Sequence, residues 1–358
     1  MPSLKEIKGR INSISSTLAI TSAMKMVAAA KLQKAQMAIQ NMLPYERRLH
    51  SMLIDLMGAM NISAAASEDG SVRGSGSAER GFDQSGDRLS LSNRHDLAGM
   101  DGAYSLMAQR EVRKVAIVAF ASNSSLCGAF NSNAIREATA VINEYRASGL
   151  RDSDIVVYSV GRKMAEAMRK LGFPSPADFT KMSDSPSYDA ASALAQELLD
   201  GFVSGRFDKV ELVYNHYKST SSQPTTRQTY LPLSLADATA DLQAGKITDS
   251  ASESDTNRGA EPVGAPVVRQ GSPTTEDLIV EPSKEALIAT LLPKVIRLRI
   301  FTTLLDSAAA EHAARTVAMQ LATDNGNDLL QELTLEYNKG RQQKITSEIL
   351  DLVGGSMQ

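Results

Sequence analysis

The chain has 358 residues, 42% of them hydrophobic and 22% charged, with a formal net charge of -3 at pH 7. That balance excludes wholesale disorder, gives no global case for nucleic-acid binding, and leaves no run near the roughly 18 apolar residues of a transmembrane helix. One cysteine, Cys127, excludes an internal disulfide and a multi-cysteine metal site, and 15 Met with no Trp predict an aliphatic, adaptable core.

The N-terminus, MPSLKEIKGR, lacks the apolar stretch of a signal peptide. From residue 3 to about 58 the only proline is Pro44 and the only glycines are Gly9 and Gly58, so the segment is expected to be one long helix. It opens with a capping box, Ser3-Leu-Lys-Glu6, in which Ser3 caps the Glu6 N–H and the Glu6 side chain returns to the Ser3 N–H. Leu4, Ile7, Ile11, Ile14 and Leu18 then alternate steps of three and four, a heptad seam that requires a partner helix. Carried onward, the seam takes in Thr21, Lys25, Ala28, Leu32, Ala35 and Ile39. Its polar interruption at Thr21 and Lys25 leaves Met24, Met26 and Val27 facing elsewhere. Such apolar groups must meet something other than the partner helix, either another protein surface, since methionine suits contacts that must re-form in several geometries, or the chain's own domain.

Residues 61–110 are Gly- and Ser-rich with charges of both signs, a composition that cannot bury enough apolar surface to offset its ordering entropy. Residues 241–281 read in the same way, most clearly from Asp249 to Glu276. Between them, residues 111–240 alternate strands and helices. KVAIVAFAS (114–122) reads as a strand buried on both faces. DIVVYSV (154–160), KVELVYNHYKS (209–219) and TRQTYLPLS supply further strands, with helices near 132–148, 162–171 and 188–205. This order predicts a small, mostly parallel, Rossmann-like sheet with right-handed crossovers.

Residues 282–358 are helical again. Pro293 is expected to break or kink the helix early, and Ile296, Ile300, Thr303, Ser307, Ala310, Ala314, Val317 and Leu321 are expected to form its seam. The fold expected is therefore an antiparallel coiled coil of the terminal helices, 1–60 and 282–358, projecting from an α/β domain.

No catalytic pattern accompanies this architecture. The turn SNSSLCGAFNSN has neither G-x-G-x-x-G nor G-x-x-x-x-G-K-[ST], so no phosphate cradle, and no G-x-S-x-G nucleophile elbow occurs. Cys127 has no histidine near it in sequence and reads as a buried, inert thiol. His50, His95, His216 and His312 stand in separate segments without metal-ligand spacing. His312 reads as a solvated or partner-contact residue. Catalytic, cofactor and metal residues are accordingly expected to be none. The pattern alone leaves open a coiled-coil scaffold or adaptor and a divergent α/β enzyme with helical arms.

Particular residues narrow this. SLKEIKGRINSI, ITSAMKMVAAAKLQKAQ, SLCGAFN, and the long terminal stretch AEHAARTVAMQLATDNGNDLLQELTLEYNKGRQQKITSEILDLVGG closely resemble the gamma subunit of rotary F-type ATP synthases. The resemblance covers both terminal helices and the α/β domain in outline, but neither polar insertion. It implies a central shaft that penetrates a ring of alpha and beta subunits, in 3:3:1 proportion with gamma, while the α/β domain sits with the epsilon subunit on the membrane c-subunit ring. Catalysis would belong to the beta subunits. The lack of a transit peptide points to a bacterium, with the chain peripheral on the cytoplasmic face of the plasma membrane.

By motif matching, Met24, Lys25 and Lys31 fall in the zone facing an acidic loop of beta. Eight Lys and Arg against three Asp and Glu in the first 60 residues suit an acidic surface. Arg341, Gln342 and Thr346 match positions that hydrogen-bond a beta catch loop, and the planar fork of Arg341 is the best carboxylate ligand of the three. This sequence departs from the family at Ala19 and Ser22, usually lysines, and at Asn123, Ser124 and Ser125, which replace D-R-G. Chloroplast relatives carry two cysteines in an inserted segment, whereas this insertion has none; if it acts sterically, deleting about residues 66–105 should raise ATP hydrolysis.

Overall fold

A computed structural model describes residues 3–68, 106, 110–233 and 283–356. Helix α1 is Leu4–Glu68. Strand β1 (Val115–Phe120), helix α2 (Phe130–Ala147), strand β2 (Ile155–Val160), helix α3 (Arg162–Lys170), the short helix α4 (Thr180–Asp184), helix α5 (Tyr188–Val203) and strands β3 (Lys209–Asn215) and β4 (Thr225–Leu231) form the head. Helix α6, Lys284–Ser356, closes the chain.

The sheet order is β2-β1-β3-β4. The first three strands are parallel and β4 is antiparallel to β3. The central strand β1 is buried along its whole length, as its unbroken apolar run requires. Val115, Ile117 and Ala119 face one core, shared with Ala134, Ala138, Val141 and Ile142 of α2 and Met164 and Met168 of α3. Ala116, Val118 and Phe120 face the other, where α5 packs through Leu194, Leu198 and Phe202, α1 through Leu49, Leu53 and Leu56, and α6 through Leu292, Ile296 and Ile300. The period-2 alternation of one strand thus joins two helical layers, and the second layer contains the roots of both long helices.

At the edge, Glu211 of β3 is buried yet bound by Arg227 at 2.7 and 3.1 Å and by the Tyr145 hydroxyl at 2.6 Å, with Lys209 at 2.6 Å. Burial alone would push this carboxyl up. Its three partners outweigh that and hold it below the usual carboxylate range, which ties β4 onto the sheet.

The loop after β1 interlocks with the turn after β2. Gly161 holds φ 97°, and a Cβ there would stand 2.0 Å from the Ala121 carbonyl oxygen, so only glycine allows the approach. The Arg162 N–H then donates to Asn123 Oδ1 at 2.8 Å.

Outside the head, α1 and α6 form the expected antiparallel pair. A Cβ on Gly340 would lie 3.2 Å from Leu4, one on Gly326 2.7 Å from Leu18, and Thr323 donates to Thr21 at 3.2 Å. These three contacts share one register. The N-terminal seam is as read from the sequence: Ile7, Ala28 and Leu32 are buried, and Leu4, Ile11, Ile14, Leu18, Thr21, Lys25, Ala35 and Ile39 half-buried.

The C-terminal seam differs from expectation. Its phase belongs to Ala309, Ala313, Thr323, Gly326 and Gly340, which meet α1. Ile296 and Ile300 face the head core, and Ala310 faces Cys127 and Phe130. Val317 and Leu321, expected inside, are exposed by 41% and 60%. A helix that packs against a sheet along one stretch and a helix along the next has two faces in succession, and a single periodicity cannot carry both.

Three further differences are local. Pro293 does not end α6; buried Leu292, Val295 and Ile296 beside it offset the roughly 3 kcal/mol that an interior proline costs. Helix α1 continues beyond residue 60 to Glu68, and Leu106, within the stretch read as disordered, is buried against the head, its carbonyl accepting the Leu233 N–H at 3.0 Å. The rest of both polar stretches lies outside the described residues. Ser3 does cap Glu6, at 3.3 Å, but the Glu6 carboxylate pairs with Arg10 at 2.9 Å.

Candidate partner-contact surface of the shaft

The residues expected to make partner contacts fall on two levels of the shaft. At the first, Met26 and Val27 are exposed by 65% and 58%, and Ile20, one heptad before Val27, by 60%. Met24, expected outward with them, is half-buried, as is Lys25 in its seam position; Lys31 is exposed. Because Thr21 meets Thr323, Ile20 and Val27 stand level with the exposed Leu321 and Val317 of α6. The collar therefore has contributions from both helices. Sequence reasoning missed its α6 half, because the same alternation of three and four that describes an internal seam also describes an external stripe.

The basic zone has internal partners too. Glu311 pairs with Arg315 at 2.7 Å, and Arg315 also donates to the Ser124 hydroxyl at 2.7 Å, which gives the serine that departs from the family pattern a place in the junction. Burial pushes the Glu311 carboxyl up, with Arg315 and Lys31 opposing. His312, read as a solvated or partner-contact residue, is half-buried: burial, then Arg315 and Lys31, push it down to about 4, so it is uncharged at neutral pH. Cys127 is buried and receives the Asn131 side-chain N–H at 3.1 Å. Among the described residues no three His, Cys, Asp or Glu side chains are placed to hold a metal ion.

Leu126 was missed altogether. It holds φ 67° and is 58% exposed, a conformation that costs an ordinary residue roughly 1–2 kcal/mol. The loop carrying it rests on the shaft, where a Cβ on Gly128 would touch Ala318 at 3.8 Å.

The second level is the tip. Helix α1 begins at Leu4, opposite Gly340, so α6 continues alone through Arg341, Gln342 and Thr346 to Ser356. That overhang is about 24 Å long, and Arg341 stands about 27 Å beyond Thr323. The two groups of expected contact residues are not one site. Arg341, Gln342 and Thr346 are all exposed. The Thr346 hydroxyl donates back to the Gln342 carbonyl at 2.9 Å, while Gln342 and Thr346 line a shallow groove with Lys339, Gln343, Ser347 and Leu350. Beside them Ile345, Ile349, Leu350, Leu352 and Val353 are all exposed. A contiguous run of exposed apolar side chains is the kind of surface that marks an interaction site.

The family described as ATP synthase matches residues 3–357. The ATP synthase gamma chain of Phocaeicola vulgatus is 46% identical over 357 residues, covering all of both chains. The chain belongs to the ATP synthase gamma family. The gamma chain of Bacteroides thetaiotaomicron is 44% identical over 358 residues, again at full coverage of both. Among solved structures, the rotor of the Euglena gracilis mitochondrial ATP synthase matches with a TM-score of 0.51 at 18% identity, covering 96% of this chain and 98% of that one. That likeness supports the fold, coil and head together. Among the described residues, the collar and the tip are exposed apolar surfaces.

Proposed function

We propose that the chain is the central rotor shaft of an F-type ATP synthase, turned by the membrane c-subunit ring and turning within a ring of three alpha and three beta subunits. The chemistry of ATP is assigned to the beta subunits, and this chain's part is mechanical. The observation that carries the reading is the coil itself: its inner seam is closed, yet large apolar side chains stand exposed along its outer surface, at the collar, at Leu329 and Leu335, and in a run at the tip. A scaffold needs no second apolar surface on a coil that is already paired, whereas a shaft needs a surface that slides.

A two-helix coil is not three-fold symmetric, so each third of a turn presents a different face to each beta subunit. Met26, with three rotatable bonds and a polarizable sulfur, adapts to each geometry. Lys25 and Lys31 provide a basic flank, beside Met24, for an acidic loop of beta. At the tip, Arg341 offers a carboxylate a bidentate fork, with Gln342 and Thr346 beside it. The head meets epsilon and the c-ring. No described helix is long and apolar enough to cross a membrane, and the chain is assigned a peripheral place on the cytoplasmic face of the bacterial plasma membrane, held there through the complex.

Affinity purification of the tagged chain from its own cells tests this directly. Alpha and beta subunits should accompany it in about 3:3:1 proportion, with ATPase activity that the isolated chain lacks. Recovery without them would leave the scaffold reading.

A further inference from the structure

The segment joining β3 to β4 does more than turn the chain. Its base is closed by the His216 N–H donating to the Pro224 carbonyl at 2.9 Å. Asn215 locks that base to the head, donating to the Phe130 carbonyl at 3.1 Å and accepting from the Thr225 hydroxyl at 2.7 Å. Beyond, Ser219 and Gln223 brace the loop internally.

Two residues at its start reach both shaft helices. The Asp306 carboxylate of α6 accepts the Tyr217 backbone N–H at 2.9 Å through one oxygen and meets His216 Nδ1 at 2.6 Å through the other. The Tyr217 hydroxyl accepts from the Gln36 side chain of α1 at 2.6 Å. The Tyr217 ring packs against Leu32, Ala309 and Ala313, where the helices meet, and against Cys127, Phe130 and Ala310, where the head meets α6. One tyrosine is thus wedged between α1, α6 and the sheet domain.

We propose that the 216–224 loop is a clasp that locks the head to both helices of the shaft, and that the proton shared by His216 and Asp306 sets its tightness. The proposal rests on the rotor reading: torque entering at the head must cross to the coil, and the clasp spans that boundary. His216, Tyr217 and Asp306 are positioning residues here. The charged groups acting on His216 among the described residues are Asp306 on α6, which favours the imidazolium, and Lys218 in the loop, which opposes it. The Asp306 hydrogen bond comes first, and the imidazole is held above its ordinary range despite partial burial. The ion pair is therefore complete below the ordinary histidine range and is lost as pH rises through the elevated value.

Hydrogen exchange on the assembled complex reads the clasp, and single-particle rotation with a gold rod on the head reads its consequence. After correction for intrinsic rates, the Tyr217 amide should exchange faster at pH 8.5 than at pH 6. In Asp306→Asn it should exchange roughly tenfold faster than wild type at pH 6, as expected when a charged acceptor is lost. His216→Gln, which keeps a donor but cannot titrate, should flatten the pH dependence. During hydrolysis-driven rotation, Asp306→Asn and Tyr217→Phe should widen the angular fluctuation of the head in each dwell while the complex still turns. Wild-type protection that is flat with pH would overturn the proton's role. Unchanged fluctuation in a rotating Asp306→Asn complex would overturn the clasp and leave the rotor reading standing. A wild-type complex that does not rotate would instead overturn the rotor reading, and the clasp's mechanical role with it.

Discussion

Helix α6 is two different objects along one continuous backbone. Between Leu292 and Arg315 nearly every residue is buried or half-buried, against the sheet on one side and α1 on the other, whereas from Arg341 to Leu350 every residue is exposed. Both stretches carry apolar side chains at helical spacing. The difference teaches that apolar content fixes neither burial nor role. In the head the helix has its partners within the chain; at the tip, among the described residues, its apolar side chains stand exposed.

That contrast can be broken or sharpened by substitution. The largest effect is expected in the head. Leu292→Ala, at a position with no exposed surface, should cost about 2–5 kcal/mol of unfolding free energy in urea titration, whereas Leu352→Ala, 74% exposed, should cost under about 0.5 kcal/mol yet weaken assembly with alpha and beta. Equal costs would erase the distinction. Midway, Gly326→Val should cost about 1–3 kcal/mol, because its side chain would overlap Leu18 in a close-packed seam. Leu18→Ala should recover part of that in a double-mutant cycle, and strict additivity would show that the two do not meet.

At the tip, Arg341→Ala should leave assembly intact and lower coupled ATP synthesis by about tenfold, or about 1.4 kcal/mol of transition-state stabilisation; normal synthesis in membrane vesicles would remove Arg341 from the contact. The smallest effect concerns pH. His312 in the folded chain titrates well below its unfolded value, at about 4, so between pH 6.5 and 4 the unfolded state binds more protons and stability falls as pH drops. His312→Gln should make that acid-side loss shallower in denaturant titrations at stepped pH. An unchanged slope would place the acid sensitivity elsewhere.

Much of this was legible in residue order. The α1 seam is a plain heptad because α1 has one partner along its free length, and β1 is an unbroken apolar run because both its faces are covered. What stayed hidden is what depends on two environments at once. Val317 and Leu321 continue an apolar repeat that begins as a sheet contact, passes through a helix contact and ends as open surface, and no step in the spacing marks the changes. Pro293 looked like a terminator because its local cost is plain while the tertiary burial around it is not. Nor does position in sequence bring Asp306 to Tyr217, 89 residues away; only the packing of α6 across the ends of the strands does so. Tip residues such as Arg341 are named only through the family resemblance, since an exposed side chain leaves no periodic trace.

The antiparallel register has one more consequence, for how the two ends of the coil are held. Leu56 near the end of α1, Leu106, Leu233 and Ile288 at the start of α6 all join one core in the head, while Leu4 and Gly340 meet at the far end of the coil. The described residues that flank both polar stretches therefore meet in the head, at the opposite end from the Leu4–Gly340 contact. The two ends of the antiparallel pair thus do different work: one is anchored in the core of the head, and the other is held by the helices' contact with each other alone among the described residues.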